Sequence, residues 1–115
     1  MDINLLLYIN RPRLMKIMIE AGANMERCDS ENNTALIIVS RRGNIEAVKI
    51  LLEADANLKA QNDYGNTALS VALYGKHLSV VGALIEAGAE LEPDDFLDGK
   101  ARTLLIYTTM KLMSL

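Results

Sequence analysis

The stretch from Asp29 to Gln61, DSENNTALIIVSRRGNIEAVKILLEADANLKAQ, is followed without a gap by a second copy of itself, Asn62 to Asp94, NDYGNTALSVALYGKHLSVVGALIEAGAELEPD. In register, the two copies agree at ten of 33 positions: Asn33/Asn66, Thr34/Thr67, Ala35/Ala68, Leu36/Leu69, Val48/Val81, Leu51/Leu84, Glu53/Glu86, Ala54/Ala87, Ala56/Ala89 and Leu58/Leu91. A unit of this size cannot bury its own apolar faces, so a fixed period implies stacking of one unit on the next. Matched positions are then occupied with stacking, and unmatched ones are available for recognition.

Local signals give each copy two helices. In the first copy, Ser30 to Asn33 read as a turn and Thr34 as the N-cap of a helix running through Arg42. Gly43 and Asn44 turn the chain back. Ile45, Val48, Leu51 and Leu52 then form the apolar stripe of a second helix, with Glu46, Lys49 and Glu53 facing out. Asp55 stands where other copies carry Gly22 and Gly88, so it is expected to take a positive φ at a cost of about 1 kcal/mol. Asn32 and Gly65 share a second position that asks for positive φ.

The pattern resembles the ankyrin repeat family. Asn62-Asp63-Tyr64-Gly65-Asn66-Thr67-Ala68-Leu69 is similar to the opening of that family's repeat, and Val81-Gly82-Ala83-Leu84-Ile85-Glu86-Ala87-Gly88-Ala89 to its close. Two departures recur: the family's proline is Ala35 and Ala68 here, and its histidine is Ile37 and Ser70. The resemblance implies an all-α solenoid of stacked helix-turn-helix units with projecting β-turn or hairpin loops. It divides one domain, 1–115, into a partial N-terminal repeat (1–28), full repeats (29–61 and 62–94) and a degenerate C-terminal capping repeat (95–115).

Toward the N-terminus, setting Met1 against Thr34 brings Glu20-Ala21-Gly22-Ala23-Asn24 over Glu53-Ala54-Asp55-Ala56-Asn57. Residues 3 to 9 are then expected as a first helix, and Pro12 starts a second, where its missing N–H does no harm. Leu5, Leu6 and Met15 are many apolar groups for an end unit, so part of that face is expected to need a cover. Beyond Pro93 the repeat degenerates into an acidic turn of Asp94, Asp95, Asp98 and Gly99. A last helix over 103–113 would leave Met110, Leu112 and Met113 as an apolar patch, which marks a partner, a dimer or a truncated array.

Composition bounds the rest. With 115 residues, half of them hydrophobic, the chain can bury a core. One Phe, four Tyr and no Trp leave that core to Leu, Ile, Val, Met and Ala, which suits close helix stacking. A net charge of -3 gives no global attraction to nucleic acid or anionic lipid. No run is apolar enough to span a membrane, and the Leu5-Leu6-Leu7 stretch lacks the flanks of a signal peptide. Cys28 is alone, so a cytoplasmic location is the expectation, with a trimmed secretory precursor as the alternative.

No Gly-rich phosphate loop, nucleophile elbow or metal-spaced cluster occurs, so the reading is non-catalytic, with no cofactor and no metal. His77 is the lone histidine and is expected to hydrogen-bond at the start of its helix. In the family, the projecting turns and the inner face of the first helices usually form the binding surface. Carried over, the resemblance implicates Ser30, Glu31, Asn33, Arg41 and Arg42 in one repeat, and Asp63, Tyr64, Asn66, Tyr74 and Gly75 in the next. Tyr8, Arg41, Tyr74 and Tyr107 recur at 33-residue spacing, and Tyr and Arg are favoured at interface hot spots. Acidic turns (Asp29, Glu31, Asp63) and basic inter-helix corners (Arg11, Arg13, Arg41, Arg42, Lys76) suggest a polarised surface; both groups could equally be plain solvated charge. The expected function is a protein-interaction module, an inhibitor or a scaffold. The alternatives are weak homodimerisation through terminal helices and an accessory domain of an enzyme.

Overall fold

Thr34 and Thr67 have extended backbones, and their hydroxyls accept the N–H groups of Ile37 and Ser70, each at 3.2 Å. These caps start the first helix of each full unit. A computed structural model describes residues 4–90 of the chain. Its elements are a short 3-10 helix, Leu5–Tyr8, then α1 Pro12–Glu20, α2 Ala35–Arg42, α3 Ile45–Glu53, α4 Ala68–Tyr74 and α5 Leu78–Glu86. Among the described residues there is no strand, and none of these helices is long and apolar enough to cross a membrane. The segments expected beyond Glu90, including Tyr107 and the helix over 103–113, lie outside the described residues.

The helices form two layers. One holds α2 packed on α4, the other α1 on α3 and α3 on α5, and each unit pairs its own two helices across the layers. The core between them is aliphatic: Leu36, Val39, Val48 and Leu51 from one unit and Leu69, Leu73, Val81 and Leu84 from the next are at most 2% exposed. Fully buried Leu or Val side chains contribute about 1.5–3 kcal/mol each relative to exposure.

The second helix ends in the same way in every unit. The N–H groups of Gly22 and Ala23 donate to Ile19 and Met18, those of Asp55 and Ala56 to Leu52 and Leu51, and those of Gly88 and Ala89 to Ile85 and Leu84. This motif needs a left-handed residue at its centre, and Asp55 supplies it at φ 62° where the other units use Gly22 and Gly88. The inter-helix corner repeats the arrangement with Gly43 at φ 71° and Lys76 at φ 58°.

The first unit departs from expectation in two ways. Of the helix expected over residues 3–9, the described residues form a 3-10 helix, Leu5–Tyr8, capped by the Asn4 side chain, which accepts the Leu6 N–H at 3.2 Å. Pro12 explains the stop, since it forces the preceding Arg11 away from helical backbone, at φ -131° and ψ 80°, and leaves too few residues to propagate an α-helix. The apolar groups thought to lack cover also differ: Leu5 and Met15 are buried in the core, while Leu7 and Ile17 are the large exposed ones.

Candidate interaction surface

The projecting turns are built on Asp29 and its equivalent, Asn62. Asp29 Oδ1 accepts the N–H groups of Glu31 and Asn33, each at 2.9 Å, and Oδ2 accepts the side-chain amide of Asn33 at 3.1 Å. Asn62 Oδ1 does the same for the N–H groups of Tyr64 and Asn66, each at 3.0 Å. Such side-chain bonds to the backbone two and four residues on are how Asp and Asn stabilise tight turns. Partial burial pushes the Asp29 carboxyl up, but the Asn33 and Glu31 donors and the Arg41 charge together hold it below the usual aspartate value.

Neighbouring turns are then bonded to each other. The Asp63 N–H donates to the Glu31 carbonyl at 2.9 Å, and Asn32 Nδ2 to Asp63 Oδ1 at 2.6 Å. Beneath them Asn62 Nδ2 donates to Asn33 Oδ1 at 2.8 Å. The Tyr64 hydroxyl bonds the Glu31 carboxylate; that hydrogen bond, then the carboxylate's charge, raises the phenol above its ordinary value. The Tyr64 ring is nonetheless 71% exposed.

Two residues read from sequence as available to a partner are not so placed. Asn33 is 3% exposed, because its amide oxygen receives both Asn62 and Arg41. It is one of the ten matched positions, and its match with Asn66 was the signal that it serves stacking. Asn66 is half-buried, its carbonyl accepting the Asn62 N–H and its own N–H donating to Asn62 Oδ1. Sequence reading also missed Asp29 and Asn62 as turn anchors, although an Asp or Asn opening a turn with a left-handed residue three positions on is a readable signature.

On the inner helices, Arg41 and Tyr74 are exposed at equivalent positions near the ends of α2 and α4, and Tyr8, in the 3-10 helix, is half-buried against the core. Arg41 does not add to a basic corner. Its guanidinium runs back along α2 to Asn33 Oδ1 at 3.2 Å, toward the acidic turn. Arg42 stays at the corner, where it donates to Asn10 Oδ1 of the preceding unit. Glu31 and Asp63 are exposed at the turn tips.

His77 is at the N-cap position of α5, yet its side chain makes no capping bond there. Its Nε2 instead lies 3.0 Å from the Arg41 carbonyl, across the unit boundary. The ring fills the space between Gly43 and Gly75, where an added Cβ would stand 2.4 Å and 2.6 Å from ring atoms. Its role is to close the open carbonyl end of α2. Among the described residues no group of three or more His, Cys, Asp or Glu is placed to hold a metal ion.

These turn-to-turn bonds join units of one repeating kind, and a family model of ankyrin repeats in three copies matches residues 5–95. The chain belongs to the ankyrin repeat family. A comparison with the curated proteins gives no match. Ankyrin repeats are generally protein–protein interaction modules and typically non-catalytic. At the family's proline and histidine positions, Ala35 and Ala68 are the first residues of α2 and α4, and Ser70 Oγ, 3.1 Å from Thr67 Oγ1, supplies a hydroxyl contact at one former histidine position.

Proposed function

We propose that this ankyrin repeat chain is a non-catalytic cytoplasmic module that holds a protein partner on its turn tips and the adjoining inner ends of α2 and α4, as an inhibitor or a scaffold. The observation that carries the reading is the locking of the two turns to each other through Glu31, Asn32, Asp63 and Tyr64 while the Tyr64 ring stays exposed. A platform already ordered loses little conformational entropy on binding, and an aromatic ring offers large contact area for few rotamers. Tyr74, 55% exposed, and Arg41 extend the platform along the inner helices, with Tyr8 behind them. Arg42 and Asp63 form its charged rim.

The test is capture of a partner by the chain and by the double variant Arg41→Ala with Tyr74→Ala, with helical content checked by circular dichroism. Loss of two hot-spot side chains should weaken binding by at least about tenfold with the helical signal unchanged. Retention of full affinity in the folded double variant would remove these residues from the site.

A further inference from the structure

The three carboxylates of the locked turns differ in how far the fold uses them. Asp29 serves its own turn, its two oxygens accepting three N–H groups. Glu31 and Asp63 are exposed and far less engaged. Among the described residues the Glu31 carboxylate accepts only the Tyr64 hydroxyl, and Asp63 accepts only the Asn32 amide, on Oδ1. An ionised carboxylate has about four acceptor sites, so most of this capacity faces solvent. Arg41 does not fill it, since its guanidinium is held on Asn33 Oδ1. Its charge also bears on the Tyr64 phenol less than those of Glu31 and Asp63, so the ring stands in a net negative field. That ring, 71% exposed, is an aromatic surface fixed beside two carboxylates with open acceptors. A planar guanidinium complements both features, because it stacks on an aromatic face and donates paired N–H groups to carboxylates.

We infer that the protein partner presents an arginine to the turn tips, its guanidinium stacked on the Tyr64 ring and hydrogen-bonded to the Glu31 and Asp63 carboxylates. The inference rests on the turn tips being the partner site and names the chemistry that the partner brings there. Lysine fits less well, because its compact ammonium is more strongly hydrated and offers no planar fork. An acidic segment is repelled by the same two carboxylates. The turn-to-turn bonds hold ring and carboxylates in place beforehand, so the arginine meets them without reordering them.

The test is selection of short random peptides displayed on phage against the full chain, with synthetic copies of the selected peptides mapped by amide chemical-shift changes. The expected result is a set of peptides that map to Glu31, Asp63 and Tyr64 and share an arginine. Replacing that arginine by citrulline, its uncharged isostere, should weaken binding at least about tenfold, and lysine in its place should recover only part of the loss. Glu31→Gln combined with Asp63→Asn should weaken the arginine peptides by a similar factor. Both substitutions keep the acceptors that Tyr64 and Asn32 use, so the turns stay closed and helical content is unchanged. Peptides that map to the tips without arginine, that bind equally with lysine, or that ignore citrulline or the double variant overturn the inference while the partner site stands. Peptides that all map elsewhere, or a selection that yields none, remove the partner site and the inference with it.

Discussion

Asp55 shows most directly how one residue is subordinated to the fold. At φ 62° it stands in the left-handed conformation that Gly22 and Gly88 supply in the other units, and the two hydrogen bonds that follow are the same in all three. The motif at the helix end is thus imposed by the carbonyls it must satisfy, and the side chain tolerates it at a cost. Asp55→Gly should remove that strain and raise stability by up to about 1 kcal/mol, part of it offset by the greater freedom of glycine in the unfolded chain. Thermal denaturation would read this as a rise of a few degrees, and a clear fall would mean that Asp55 makes a stabilising contact of its own. The requirement was visible from sequence because the aligned glycines fall in the same column. The same columns warned that Asn33 serves the fold, since a matched polar residue is as much a stacking feature as a matched leucine.

At the scale of elements, the joints between helices are made by side chains that leave their own unit. Arg42 reaches Asn10, Asn62 reaches Asn33, and His77 reaches the Arg41 carbonyl through the gap left by Gly43 and Gly75. Gly75 has an ordinary helical φ of -81°, so alanine there meets no backbone penalty, and its only cost is the approach to the His77 ring. Gly75→Ala should therefore displace the ring and lose its hydrogen bond, a loss of about 0.5–1.5 kcal/mol. In a His77→Ala background the same substitution should cost nothing, or gain slightly. A double-mutant cycle by urea denaturation measures this coupling; equal effects in both backgrounds would mean that the ring does not depend on Gly75. Periodicity located the helices and their caps, but these cross-unit bonds join residues 29 to 36 positions apart and are not local signals.

At the scale of the molecule, stability is shared between stacked units, so the turn that Asp29 organises contributes to the whole domain. Its carboxyl is held below the ordinary aspartate value, so it binds a proton less readily folded than unfolded. Its contribution is complete above the unfolded value of about 3.9 and is lost as pH falls through the lower folded value. Asp29→Asn keeps one acceptor, as Asn62 does in the next unit, and removes the charge. The wild type should exceed this variant in urea midpoint at pH 7, and the difference should shrink at pH 3; a difference independent of pH would mean that the charge is immaterial. What the sequence by itself determined is the repeat: its 33-residue period, its caps, its left-handed positions and its aliphatic core, because each rests on contacts within a few residues or on one column repeated. What only the tertiary structure decided is which side chains remain for other molecules. Arg41 bends back to Asn33, Leu5 and Met15 go inside while Leu7 stays out, and Tyr64 is pinned to Glu31 yet exposed, because each outcome depends on what the neighbouring unit places beside it.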